Sequence, residues 1–176
     1  MKKFLLALCA ALLAFTACDN GPKEFVWKDL SITYPRNYTL SDLSEEGDMC
    51  KFTLAKDGDN FLIVRYEYLG AEILEDVSDE EIRSIIYDEA YDLYMSDVEN
   101  EDMEVDEDSL SVLESPAGAR PGVLFMYGGT HFGDPFKGRV SVTLVEDYDV
   151  SIMAEAMDDA SLDEITGIIT SVVKKK

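Results

Sequence analysis

Apolar and polar residues alternate from Leu30 to Tyr34. Leu30, Ile32 and Tyr34 fall on one side and Pro35 ends the run, which predicts a half-buried strand. Phe25-Val26-Trp27 stands just before it and opens the folded region. Residues 49 to 55 and 61 to 69 predict two further strands around Lys56-Asp57-Gly58-Asp59-Asn60. The Asp-Gly pair favours a tight turn with positive φ, so these two strands are expected to pair as a hairpin. Phe61 to Val64 is apolar at every position, the pattern of a strand covered on both faces.

The period then changes. Ser78-Asp79-Glu80-Glu81 reads as a capping box, in which the Ser78 oxygen accepts the Glu81 amide and the Glu81 side chain returns to the Ser78 amide. Ile82, Ile85, Ile86, Ala90 and Leu93 follow at helical spacing, with Tyr87, Tyr91 and Tyr94 widening the stripe and acids on the far side. Tyrosine tends to bury its ring and keep its hydroxyl wet, so these three are expected at the edge of the core. Beyond Asp97 the periodicity fails. Alternation returns from Met103 to Leu113, and Ser115 to Gly122 is a Pro- and Gly-rich loop. Val123 to Tyr127 is a continuous apolar run. Val140, Val142 and Leu144 alternate with Ser141 and Thr143, and Val150, Ile152 and Ala154 alternate with Ser151 and Met153. Glu146 to Asp149 is the expected turn between the last two strands. A second capping box, Ser161-Leu162-Asp163-Glu164, predicts a helix with Ile165, Ile168, Ile169 and Val172 on one face. Lys174 to Lys176 would then complement its negative C-terminal end. The order is strands, helix, strands, helix. It implies an α+β fold with a predominantly antiparallel sheet of about six or seven strands and two packed helices.

This order resembles that of the PsbP-like α/β/α sandwiches, a family named for an extrinsic photosystem II protein and found also among bacterial periplasmic proteins and lipoproteins. The likeness spans most of residues 25 to 173 and includes the early segment Leu30-Ser31-Ile32-Thr33-Tyr34-Pro35-Arg36-Asn37-Tyr38, where a strand meets proline before an aromatic residue. It implies a non-catalytic binding or assembly protein and carries over no ligand residues.

The N-terminus changes the picture of location. Lys2 and Lys3 precede an apolar core from Phe4 to Leu13, and Phe15-Thr16-Ala17-Cys18 closes the segment. This resembles the bacterial lipoprotein signal, with residues 1–17 removed and Cys18 made the first mature residue. Such a cysteine would carry diacylglyceryl on its thiol and an acyl group on its amine, and two or three chains anchor a protein firmly. Phe15 stands where these signals usually carry Leu, which keeps open a plain secretory signal and a soluble periplasmic or secreted protein. Asp19 resembles an inner-membrane retention signal of enteric bacteria, but either envelope membrane fits. Residues 18–24 read as a polar tether. The five residues Asp19 to Lys23 reach at most about 17 Å, so a protein partner is expected in or near the same membrane. Residues 25–173 form the single domain and 174–176 a basic tail.

The chain has 15 Lys and Arg against 37 Asp and Glu, a net charge of −22, and loses two lysines with residues 1–17 to reach −24. That balance strongly disfavours nucleic acid, whose phosphates require clustered cations, and disfavours lying flat on anionic lipid. Cys9 leaves with the signal and Cys18 would become a thioether, so Cys50 is expected to be a lone buried strand residue with no disulfide partner.

Candidate chemistry is sparse. There is no G-x-S-x-G elbow, H-E-x-x-H motif or Walker-type loop, and no cofactor is implied. His131 is the single histidine and sits in Gly128-Gly129-Thr130-His131-Phe132-Gly133. Gly128 and Gly129 could let a loop approach a ligand there, with His131 as base or metal ligand, while a hairpin connection explains the same residues. Asp97, Glu99, Glu101 and Asp102 concentrate hard oxygen ligands suited to calcium, although without the EF-hand glycine they also read as a solvated acidic loop. Three classes follow. The leading one is a lipid-anchored, non-enzymatic envelope binding or assembly protein. The others are a binder of calcium or a cationic small ligand, and a hydrolase using paired carboxylates.

Overall fold

A computed structural model describes residues 21–70, 77–114 and 121–175. The signal segment, Cys18, Asp19 and Asn20, the loop residues 115–120 and Lys176 lie outside the described residues. The described chain forms β1 (Lys23–Trp27), β2 (Leu30–Tyr34), β3 (Thr39–Glu46), β4 (Met49–Ala55), β5 (Phe61–Tyr68) and α1 (Asp79–Val98). Then follow β6 (Met103–Glu114), β7 (Gly122–His131), β8 (Asp134–Val145), β9 (Tyr148–Ala156), α2 (Asp159–Thr170) and β10 (Val173–Lys174).

Seven strands make one sheet in the order β3-β4-β5-β9-β8-β7-β6, and β1-β2-β10 make a small second sheet. The pairings within both are antiparallel. The α+β sandwich expected from the element order is therefore present. β5 lies between β4 and β9, as its two-sided apolar run required.

The two faces of the large sheet carry separate cores. On one, α2 and the small sheet cover Cys50, Phe52 and Leu54 of β4, Leu62, Val64 and Tyr66 of β5, and Val150, Ile152 and Ala154 of β9. On the other, α1 lays Ile86, Ala90 and Tyr94 over Val123, Phe125 and Tyr127 of β7 and Val140 and Val142 of β8. The two cores are displaced along the sheet. Among the described residues, the α2 side of β6, β7 and β8 has no helix directly over it.

Several expectations are corrected. The 56–60 loop is not a positive-φ Asp-Gly turn, since Gly58 is absent from the positive-φ residues. It is closed instead by Lys56 N–H donating to Asn60 O at 2.9 Å, while the Asp57 carboxylate accepts from Asp59 N–H and Asn60 Nδ2. The α2 cap is Asp158, which accepts from Ser161 N–H at 2.7 Å, so the helix starts three residues earlier and Ser161 lies in its first turn. Asp158 provides the charged acceptor that the helix N-terminus favours. Lys174 does not face the end of α2. It pairs with Leu30 in β10, and its Nζ lies 2.8 Å from Asp147, 3.0 Å from Glu146 and 3.6 Å from Asp29. On α1, Ile85, Tyr87 and Tyr91 are exposed, and the buried stripe runs Ile86, Ala90, Tyr94, Asp97. The capping box at Ser78 and Glu81 forms as expected.

Both edges of the large sheet are acid-rich and irregular. β3 shifts register between Ser41 and Ser44, with Asp42 at φ 50°, and β6 shifts between Asp106 and Ser111. Bulged, charged edges discourage pairing with another chain.

Candidate functional site: a groove on the open half of the sheet

Side chains two apart on a strand share a face, so Arg139, Ser141 and Thr143 of β8 all lie on the α2 side. Their cross-strand neighbours are Met126, Leu124 and Gly122 on β7 and Ala154, Ile152 and Val150 on β9. Because α2 packs on β9 and beside β2 rather than over β8, this stretch becomes the floor of a groove of about 380 Å³. Leu113 of β6 marks one side. Thr166, Ile169 and Thr170 of α2, with Val172 and Val173, form the other.

The groove is mainly aliphatic and has no aromatic ring among the described residues of its lining. A polar stripe crosses it along β8. Ser141 and Thr143 are only 2% and 8% exposed. Arg139 is half-buried, and its Nε is shielded from solvent with no hydrogen-bond partner among the described residues. Burial pulls the Arg139 guanidinium below its usual basicity, against the smaller opposing effect of Asp163. A partly desolvated guanidinium with an unused donor is costly unless an acceptor reaches it. The Thr166 hydroxyl donates to Leu162 O at 2.8 Å and that of Thr170 to Thr166 O at 3.1 Å, so on α2 only acceptor lone pairs remain. The donors available to a ligand come from β8.

Two acidic centres lie on the opposite, α1 side. Asp97 is 4% exposed and accepts a short hydrogen bond from the Tyr127 hydroxyl, while burial raises its pKa against that bond. Glu155, across β8 from this pair, is pushed up to about 7 by burial and then by the Asp97 charge, with His131 opposing. In the second centre the Ser151 hydroxyl lies 2.7 Å from Glu89 and 3.3 Å from Asp149. Burial, followed by the Glu89 carboxyl, pushes Asp149 up to about 8. Arg65 lies 3.7 Å from Glu89 and 2.6 Å from Glu67. Asp97, Glu155 and Asp149 are buried on this side, whereas Glu89 and Glu67 are half-buried at its margin.

The sequence candidates are not brought together. Asp97 points into the core on the stripe of Ile86, Ala90 and Tyr94, because α1 continues to Val98, whereas Glu99, Glu101 and Asp102 are exposed beyond it. Among the described residues no group of three or more His, Cys, Asp or Glu side chains is arranged to hold a metal ion. Gly128, Gly129 and His131 belong to β7 rather than to a loop, and the turn is reduced to Phe132 and Gly133, at φ 52° and 90°. Gly128 N–H donates to Ser109 Oγ at 2.7 Å, fastening the β6 bulge. Gly129 has packing reasons of its own. A Cβ there would meet Glu104 O at 2.2 Å and the ring of its cross-strand partner Phe136 at 2.8 Å. His131 stacks on Phe132 at the hairpin tip, with ring centroids 4.6 Å apart.

Sequence reasoning missed the groove because Arg139-Val140-Ser141-Val142-Thr143 reads as a strand with one wet face. A signal was nevertheless present in Val123 to Tyr127. A strand apolar on both faces needs cover on both, and α1 covers one, leaving Leu124 and Met126 to line the groove.

The two displaced cores on an antiparallel sheet define an α+β sandwich of the PsbP-like type. The solution structure of cyanobacterial PsbP (CyanoP) from Synechocystis sp. PCC 6803 is similar at a TM-score of 0.58, with 11% identity over 90% of this chain and 95% of that one. A crystal structure from Bacteroides thetaiotaomicron VPI-5482 is similar at 0.52 and 14% identity, covering 89% of this chain but 49% of that one, so this chain spans about half its length. LpqN, involved in cell envelope biogenesis of Mycobacterium tuberculosis, gives 0.49 at 11% identity over 91% of this chain and 87% of that one. At these identities the likeness shows the fold alone. No family model matches the sequence, and no curated protein matches it.

Proposed function

We propose that the protein is a non-enzymatic binding module of the bacterial cell envelope, held at a membrane through Cys18, with the α2-side groove as its binding site. The observation that carries this reading is the stripe of Arg139, Ser141 and Thr143 set in an aliphatic groove, with Arg139 Nε lacking a hydrogen-bond partner among the described residues. Ligand sites are typically concave, largely apolar and furnished with a few placed polar groups. The lipoprotein-like segment ending at Cys18 supports the anchor, and β1 begins at Lys23, which keeps the domain close to any leaflet that holds Cys18. Burial of Asp97, Asp149 and Glu155 weighs against the hydrolase reading, and the separation of Asp97 from Glu99, Glu101 and Asp102 weighs against calcium at that loop.

The test places a photoreactive amino acid at Met126 in the full chain, expressed in its own membranes. Mass spectrometry then follows both Cys18 and the crosslinked product. Acyl chains on Cys18 and a recurrent adduct at Met126 are expected. An unmodified Cys18 thiol would remove the anchor, and a folded protein giving no adduct at the groove would remove the binding site.

A further inference from the structure

We infer that the groove takes a monoanionic aliphatic amphiphile, an acyl chain ending in one carboxylate, with the carboxylate on Arg139 and the chain along Leu124, Met126, Ile152 and Ile169. This rests on the reading of the groove as the binding site and names the chemistry of its occupant.

Four features select that class. Among the described residues the lining has no aromatic ring, so it offers no stacking surface for a sugar, a nucleobase or another planar ligand, whereas a flexible hydrocarbon chain fits an irregular aliphatic wall. The cation that the described lining places on the floor is Arg139, whose planar fork suits a single carboxylate. The Ser141 and Thr143 hydroxyls lie two and four residues along the same strand face and make no hydrogen bond within the described protein, so they remain available to the head group. Finally, a chain of net charge −22 repels polyanions at long range, while a single charge is neutralised locally by one guanidinium. A volume of about 380 Å³ lies within the range of small-ligand pockets.

The experiment uses two photoreactive probes of equal length, a diazirine-bearing hexadecanoic acid and the corresponding hexadecanol. Each is added to membranes containing the full anchored chain, and labelled peptides are mapped by mass spectrometry. The acid is expected to label β7, β8 and α2, and the alcohol to label them at least tenfold less. Arg139→Met should reduce labelling by the acid at least tenfold, and Arg139→Lys should restore part of it. Thr166→Phe, which fills the groove from α2 without touching the cation, should also abolish labelling. Circular dichroism and melting temperature confirm that each variant folds, and the two routes to loss guard against one failing. Equal labelling by acid and alcohol, or acid labelling unchanged in Arg139→Met, would overturn the inference. A protein captured at Met126 with no acid labelling overturns the amphiphile but leaves the groove as a binding site. No adduct of any kind at the groove overturns both.

Discussion

Tyr127→Phe removes one oxygen and keeps nearly everything else. The ring still packs against Tyr94 at 5.0 Å and Phe136 at 6.3 Å between centroids, and still lies over Gly138, where a Cβ would come within 2.3 Å of it. What is lost is the hydroxyl that donates to Asp97, a carboxylate 4% exposed to solvent whose side chain makes no other hydrogen bond among the described residues. A hydrogen bond to a charged group contributes about 1.5–3 kcal/mol, and one between neutral groups about 1 kcal/mol. The loss is therefore expected to be about 3 kcal/mol at pH 7.5 and about 1 kcal/mol at pH 3.5. The sign follows from linkage. Burial already raises the Asp97 pKa and the Tyr127 bond lowers it, so deleting the donor raises it further. An acid whose folded pKa is raised contributes stability that is full below its unfolded pKa and is lost as pH rises through the folded value. The gap between wild type and variant must then open with rising pH. Urea unfolding at the two pH values, followed through the single tryptophan, Trp27, which is buried in the other core, measures it. In an Asp97→Asn background the same substitution should cost about 1 kcal/mol at both. A gap that is equal at both pH values in the wild-type background, or below about 0.5 kcal/mol at pH 7.5, would refute the reasoning, because Asp97 would then be solvated.

Other substitutions report on different parts of the fold. Glu155 is pushed up to about 7, so stability should fall as pH rises from the unfolded carboxylate range through 7. Glu155→Gln should flatten that fall and gain about 2 kcal/mol at pH 8 with none at pH 4, after allowance for solvent reaching the group; unchanged pH dependence would contradict it. Asp158→Ala should cost α2 about 1 kcal/mol through loss of its cap, and more than Ser161→Ala, as read by melting temperature; the reverse order would restore Ser161 as the cap. Cys50 is fully buried and burial pushes its thiol up to about 11, so alkylation at pH 8 should require unfolding. Labelling at a rate independent of denaturant would place the thiol at the surface.

Much of the fold was legible because its elements bury faces with a clear period. Leu30, Ile32 and Tyr34 announced β2, and the unbroken apolar run of Phe61 to Val64 placed β5 inside the sheet. β3 was illegible because an exposed edge strand need not alternate, and Thr39 to Glu46 holds two apolar residues, Leu40 before the register shift and Leu43 within it. β10 is two residues long and is defined by pairing with β2 far away in sequence, which no local pattern reveals. Ser161 misled because its spacing to Glu164 satisfies a capping box, while Asp158 supplies the charged acceptor three residues earlier. The acidic run from Asp97 to Asp102 looked like a single cluster because its residues are adjacent in sequence, but Asp97 falls on the buried stripe of Ile86, Ala90 and Tyr94 in the last turn of α1, while Glu99, Glu101 and Asp102 lie beyond the helix in solvent. The groove depends on where α2 sits relative to β8, a tertiary fact. Its only local trace was the surplus apolar face of Leu124 and Met126.

The groove is tested most directly by weighing the protein. The full chain is purified from its own membranes without added lipid, and its mass is measured under native and denaturing conditions, so that covalent acyl chains on Cys18 remain in both and a bound ligand appears only in the first. A native excess matching one aliphatic acid, lost in Arg139→Met with the denatured mass changed only by the substitution, is expected. Identical native and denatured masses for a folded wild-type protein, or an excess that persists in Arg139→Met, would contradict it.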